Sequence, residues 1–317
     1  MSFSASGNWI NGSSAPRKLL IFMFLLVTSL TITMVLGVVL AIPFWGMNAV
    51  SFLSNPDYNN PSYLAFVKYF QIVSQLGLFI FPTLFFALFT GETMGKYLHI
   101  NISPALIPLG IAGMISVVCL PLINGVSELN QLMKLPAFMA DIETWMKQAE
   151  ESADILTKAF LSTTSIWGLL LNILMIVIIP AFGEEFLFRG VLQRIFAEWS
   201  NNIHVAVFVS AFLFSAMHLQ FFGFLPRFML GIFLGYFYAW SGNLWYPIAA
   251  HFLNNFLAVM AAFFFQQGLS ESNYNNLGEA PGVWAYFLST LITVVLLSMF
   301  WRVTRDRLPS QPLNSEF

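Results

Sequence analysis

Long apolar runs separated by short polar breaks organise this chain. Crossing ~30 Å of hydrocarbon takes about 20 mostly apolar residues in a helix. Such runs recur near residues 19–43, 65–90, 104–124, 164–188, 203–222, 225–241, 245–266 and 282–302. No ten-residue alternation of the kind barrel strands need is visible. The pattern therefore predicts an all-α, polytopic integral membrane protein with about eight transmembrane helices. "SNPDYNNPSY" (54–63) and "QQGLSESNYNNLGEAPG" (266–282) concentrate Asn, Pro, Gly and Ser and read as loops. Residues 126–160 are the longest polar stretch. Within them "MADIETWMKQAEESADILTKAF" repeats apolar positions at three and four, which predicts one or two amphipathic helices at the membrane surface with a solvated face.

This divides the chain into a polar tail (1–14), one transmembrane domain (15–305) and a second polar tail (306–317). The first run follows Arg17-Lys18, as a secretory signal would. Its apolar core outlasts a signal's 7–15 residues and no small-residue cleavage site follows, so it is predicted to be a retained helix. Composition agrees with the spans. The chain is 58% hydrophobic and 9% charged, more apolar surface than a soluble fold of this length can hide. Net charge is −2, and no basic patch offers nucleic acid a surface. The single cysteine, Cys119, lies in an apolar run and reads as a small buried hydrophobe.

An even number of spans puts both ends of the domain on one side. Arg17, Lys18, Lys96, Arg194, Arg302, Arg305 and Arg307 then share that side, against Lys134, Lys147, Lys158 and Arg227 on the other. Basic residues close to spans favour the cytoplasm, so the termini are predicted to be cytoplasmic. The basic loops and lack of organelle signals point to a bacterial plasma membrane.

Charges inside apolar runs change the picture most. A charged side chain at mid-bilayer costs at least ~2.5–3.5 kcal/mol on insertion scales, so it reads as functional. Glu184, Glu185 and Arg189 close the fourth run in "FGEEFLFRG"; His218 closes the fifth; His251 and Asn255 sit in the seventh. Glu185 and Arg189 stand at i and i+4, on one helical face, and can pair. Glu184 lies about 100° round the helix from Glu185 and can point elsewhere, toward a cavity. A carboxylate, two imidazoles and an amide can activate water and hold an oxyanion. Glu184, His218 and His251 could equally hold Zn2+ with an open position. Taken alone, Glu185–Arg189 also fits a structural ion pair at a helix end. A non-catalytic transporter, immunity protein or scaffold could use the same buried cluster. His99, His204 and Asn254 are assigned no role.

At these residues the chain resembles the CAAX-processing and bacteriocin-processing family of intramembrane proteases, which includes the CAAX prenyl endopeptidases. The motifs are Glu184-Glu185-Phe-Leu-Phe-Arg189, Phe214-Ser-Ala-Met-His218 and His251-Phe-Leu-Asn-Asn255, in order, across about residues 164–266. The resemblance implies hydrolysis of peptide bonds in membrane-associated substrates. Glu184 with His218 would activate water, His251 and Asn255 would hold the oxyanion, and Glu185 with Arg189 would fix the helix and tune Glu184. The family is often labelled metalloprotease, yet no His-Glu-x-x-His occurs here.

Overall fold

The computed structural model describes residues 10–271, 276–280 and 282–305. Arg307, the second polar tail and most of the first lie outside them. Every regular element among the described residues is helical, the longer ones being α1 (Ala15–Trp45), α2 (Pro61–Phe89), α3 (Leu106–Val118), α4 (Leu120–Gln131), α5 (Ala140–Leu161), α6 (Ile166–Ser200), α7 (Ile203–Ala216), α8 (Phe224–Ser241), α9 (Trp245–Gln266) and α10 (Val283–Arg305).

Among the described residues six helices are long and apolar enough to cross a membrane: α1, α2, α6, α9, α10 and the segment Phe221–Ser241 that contains α8. A seventh span is broken, since α3 and α4 meet at 42°. Pro121, in the first turn of α4, supplies the cause: its ring removes an N–H donor and crowds the carbonyl one turn back. The predicted fifth run differs most. It forms α7, only 14 residues long, or ~21 Å at 1.5 Å per residue, short of the hydrocarbon thickness. The chain still passes back along the bundle there, so the predicted topology of about eight passages holds with one short passage.

Helix α6 is the axis of the site. It was expected to end near residue 188 but runs 35 residues to Ser200, ~52 Å. Asn201, at φ 50°, breaks it in the left-handed region, and the Asn202 side chain caps α7 by accepting from the His204 and Val205 amides. Two stretches of α6, Ile173–Ile178 and Phe186–Leu192, are wound as π-helix. These wide turns flank the two glutamates, and such bulges concentrate at functional sites.

Lys18 Nζ meets Glu198 at 2.7 Å, and Arg194 Nη1 donates to the Tyr97 carbonyl at 2.5 Å. The start of α1, the end of α6 and the turn beside Lys96 therefore share one end of the bundle, as their charges predicted. Helices α7 and α8 approach closely at Gly231 and Gly235. A Cβ on Gly231 would lie 3.0 Å from the Ala211 Cβ, and one on Gly235 2.9 Å from Val207. Small residues at this spacing let helix backbones meet in lipid.

Helix α5 is amphipathic with one solvated face, as its spacing predicts, while its other face packs on the bundle. One flank does carry exposed pairs, Glu143–Lys147 and Asp154–Lys158, both at 2.6 Å, which contribute little. The other lies over the interior. Trp145 packs on Phe221 at 5.3 Å between centroids, and Glu150 accepts from the Phe222 amide at 3.2 Å. At its C-terminal end the Phe160 carbonyl accepts from Lys68 Nζ at 3.0 Å and from Asn172 Nδ2 at 2.8 Å. Terminal carbonyls have no partner within their own helix, so two side chains from α2 and α6 pin this end of α5 to the bundle.

Candidate active site

The two adjacent glutamates take different partners because the helix turns between them. Glu185 is fully buried. Its Oε1 accepts from Arg189 Nη1 at 2.9 Å and meets His251 Nδ1 at 2.8 Å. An ionised carboxylate can only accept, so Nδ1 carries a proton. The other imidazole nitrogen, Nε2, then lies 3.8 Å from Glu184 Oε2, beyond hydrogen-bond range. Glu184 Oε2 is buried and has no hydrogen-bond partner among the described residues. His251 is thus oriented by one carboxylate and presented to the other, the logic by which an acid fixes a catalytic imidazole.

Arg189 is held from several sides. Besides Glu185, it donates through Nη2 to the Gly231 carbonyl at 2.9 Å, and its guanidinium lies 4.8 Å from the centre of the Phe214 ring. One turn on, Gln193 Nε2 donates to the Gly235 carbonyl at 3.0 Å. The pair that stabilises Glu185 therefore also ties α6 to α8. Phe214 in turn stands edge-on to both imidazoles, 5.3 Å from His218 and 5.9 Å from His251. His218 lies just past the end of α7, with Nδ1 2.8 Å from the Phe214 carbonyl. That contact engages one nitrogen and leaves Nε2.

A cavity of about 380 Å³ collects these groups. Glu184, His218, His251, Asn255 and Asn254 line it, together with Gln71 and Gln75 of α2, Thr157 and Phe160 of α5, and Arg227. Glu185 and Arg189 stand behind it. The run of α6 to Ser200 brings Glu184 and His218 to similar depth. Glu184 then lies ~24 Å from that end of α6, and His218 ~23 Å from the start of the adjoining α7, at 1.5 Å per residue.

Asn255 has a second employment. Pro180 has no N–H, so it cannot satisfy the carbonyl of Ile176 four residues back. Asn255 Nδ2 donates to that carbonyl at 3.0 Å. Asn254, assigned no role from the sequence, lines the cavity and donates from Nδ2 to Asn255 Oδ1 at 3.3 Å. Asn255→Ala is expected to cost about 0.5–1.5 kcal/mol by removing this hydrogen bond from a part-buried carbonyl. In a Pro180→Ala background, where the helix regains its own donor, the same substitution should cost clearly less. A double-mutant cycle on unfolding midpoints in detergent reads the difference, and equal costs in both backgrounds would refute this role.

Zinc was a candidate for Glu184, His218 and His251. Among the described residues, no three His, Cys, Asp or Glu side chains come together so as to hold a metal ion. His251 Nε2 stands 3.8 Å from Glu184 Oε2, somewhat longer than the ~3.3 Å between two ligands on one tetrahedral zinc at ~2 Å, and no third donor completes the set among the described residues. The donor set does not fit a zinc site, and no chemical step is drawn through a metal.

Residues outside the three motifs complete the cavity. Arg227, expected among the charges of the far membrane border, also lines the cavity. Lys68, a lone lysine within "YLAFVKYF", is buried between α2, α5 and α6. Its position inside an apolar run was the available signal. His99 and His204 take other partners, the Gly242 carbonyl at 3.1 Å and the Tyr236 hydroxyl at 2.8 Å.

Fold and site together define an integral membrane protein whose helices enclose a cavity of carboxylate, imidazole and amide groups. Residues 166–257 match the Rce1-like family model, described as type II CAAX prenyl endopeptidase Rce1-like, so the family resemblance carried by the three motifs holds over that segment. The chain is also similar to the uncharacterized protein YpbD of Bacillus subtilis (strain 168), with 33% identity over 86 residues. That match covers 26% of this chain and 41% of the relative, so it spans less than half of YpbD. No solved structure matches the chain.

Proposed function

We propose that this protein is an intramembrane endopeptidase that cleaves membrane-associated peptides or proteins with activated water. Glu184 takes a proton from a water molecule, with His218 across the cavity as its partner in proton transfer, and the oxygen attacks the scissile carbonyl carbon. His251 in its imidazolium form, held between Glu185 and Glu184, donates from Nε2, and Asn255 donates its second Nδ2 hydrogen, to the carbonyl oxygen on which negative charge develops. Collapse of the tetrahedral intermediate breaks the C–N bond, and the departing amine takes the proton that Glu184 accepted. Glu185 and Arg189 act behind the cavity by holding His251 and α6.

One observation carries this reading. Side chains from α6, α9 and the end of α7 line a single polar cavity inside an apolar helical bundle. Low dielectric strengthens each contact to a developing charge. A single oxyanion donor is worth ~2.7–4 kcal/mol in other acyl-transfer enzymes. A transporter or scaffold has less support, since neither role needs a carboxylate-oriented imidazole facing a second, unpartnered carboxylate.

Localisation follows from charge. The far border carries Lys134, Lys147, Lys158 and Arg227, while the end near Lys18 keeps the larger basic set. We place that end in the cytoplasm of a bacterial cell and the protein in its plasma membrane. The cavity, lined by α5 and the start of α8, then lies toward the opposite face. A reporter fused after Arg305 is expected to be active inside the cell; one active only outside would reverse this orientation.

His218→Ala tests the activity. Membrane peptides from cells carrying wild type and His218→Ala, compared by mass spectrometry, should show new termini that the variant loses by about 10²–10⁴-fold, the usual range for a proton-transfer group. Identical terminus profiles at equal protein levels would oppose the proposal.

A further inference from the structure

Two arginines stand near the cavity, one fully buried and one half-buried, and they are treated differently. Arg189 is paired with a carboxylate at 2.9 Å. Arg227 lines the cavity itself, and its guanidinium donates only to Gln220, through Nη1 to the backbone carbonyl at 3.4 Å and through Nη2 to side-chain Oε1. Both acceptors are neutral. No carboxylate among the described residues lies within 4.0 Å of it. Glu150 and Glu184 act on it from farther away, and Glu150 is engaged by the Phe222 amide.

The local chain is shaped to keep the guanidinium there. A Cβ at Gly223 would collide with Arg227 Nη1, so the missing side chain lets the arginine fold back over the first turn of α8. Holding a cation in a low-dielectric site without an adjacent anion is costly. The arrangement makes sense if the missing charge arrives with the ligand. A guanidinium fork matches the planar two-oxygen geometry of a carboxylate, and it has N–H groups beyond the two that Gln220 uses.

We propose that Arg227 is a specificity-determining residue: it binds a carboxylate carried by the peptide substrate and so fixes which bond lies over Glu184. This rests on the peptidase reading above. The carboxylate is either the free C-terminus of the substrate or an Asp or Glu side chain near the cut. Gln71, Gln75 and Thr157, also on the cavity wall, supply neutral hydrogen-bonding groups for the intervening backbone.

The test separates binding from turnover. Full-length Glu184→Gln protein in lipid nanodiscs captures members of a randomised library of apolar synthetic peptides, read by mass spectrometry. The library is made in three forms: free C-terminus without acidic residues, the same peptides amidated, and amidated peptides bearing one Asp or Glu. One carboxylate form should be enriched roughly 10–100-fold over the amidated neutral form, the range for a hydrogen bond to a charged group. Enrichment of the first form identifies the C-terminus as the source, and enrichment of the third identifies the side chain. Adding Arg227→Gln should bring the ratio to about 1, and Arg227→Lys should leave an intermediate value. Gly223→Ala displaces the guanidinium without removing it and should also abolish the preference, which keeps the test decisive if Arg227→Gln does not fold. Equal capture of acidic and neutral peptides, or a preference that survives Arg227→Gln, overturns the assignment. Wild-type cleavage without any carboxylate preference sinks Arg227 alone. An Arg227-dependent preference without cleavage by wild type sinks the peptidase reading and leaves the anion site standing.

Discussion

Replacing Arg189 by methionine is expected to cost about 3–5 kcal/mol of stability, the usual penalty for stranding one partner of a buried ion pair. Arg189 and Glu185 are both fully buried, with the charged atoms 2.9 Å apart. Without the guanidinium, Glu185 keeps only His251, the hydrogen bond from α6 to the Gly231 carbonyl is lost, and the Phe214 ring loses its cationic neighbour. Activity should fall with stability, because the same carboxylate orients His251. The check is the unfolding midpoint of purified protein in one detergent, followed by thermal melt. Removing both partners, as Glu185→Leu with Arg189→Met, should recover much of the loss, since replacing a whole buried pair by apolar groups is often neutral or better. A midpoint for Arg189→Met within about 0.5 kcal/mol of wild type would show that the pair does not hold α6 to α8, because surface-like substitutions fall in that range.

Glu184→Gln should behave oppositely, with stability kept and turnover lost. Its Oε2 makes no hydrogen bond that the amide would forfeit, and removing one of two adjacent carboxylates relieves like-charge repulsion around Glu185. The amide cannot accept a proton from water, so turnover should drop by about 10²–10⁴-fold, the span attributed to positioned general bases. Loss of stability together with activity would mean that Glu184 is part of the scaffold rather than the base.

Much of this arrangement is legible along the chain. Apolar runs of span length marked the helices, and the three motifs placed Glu184, Glu185, Arg189, His218, His251 and Asn255 in three neighbouring runs of the chain. What escaped depends on contacts between distant residues. Helix α6 was expected to end near residue 188 because the apolar run fades there. "RGVLQRIFAEWS" nonetheless remains helical, because its buried face (Val191, Leu192, Ile195) packs on the core and only Asn201 stops it. α5 looked like a solvated surface helix, since a polar flank conceals that Ala153, Leu156, Thr157 and Phe160 cover a cavity. Arg227 sits at the start of a span, where a topogenic charge and a cavity cation look alike in sequence. The dual role of Asn255 required knowing that Pro180 leaves Ile176 unsatisfied across a helix interface. The Gly-x-x-x-Gly spacing of Gly231 and Gly235 was visible, but which helix it admits was not.

The most direct measurement uses purified full-length protein in lipid nanodiscs, a synthetic membrane-peptide library and water enriched in ¹⁸O. With wild type, mass spectrometry should find new C-termini carrying one ¹⁸O per cut, and with equally folded Glu184→Gln these should fall to background. Labelled termini formed equally by both proteins, or formed by neither, would contradict a hydrolytic cavity built around Glu184.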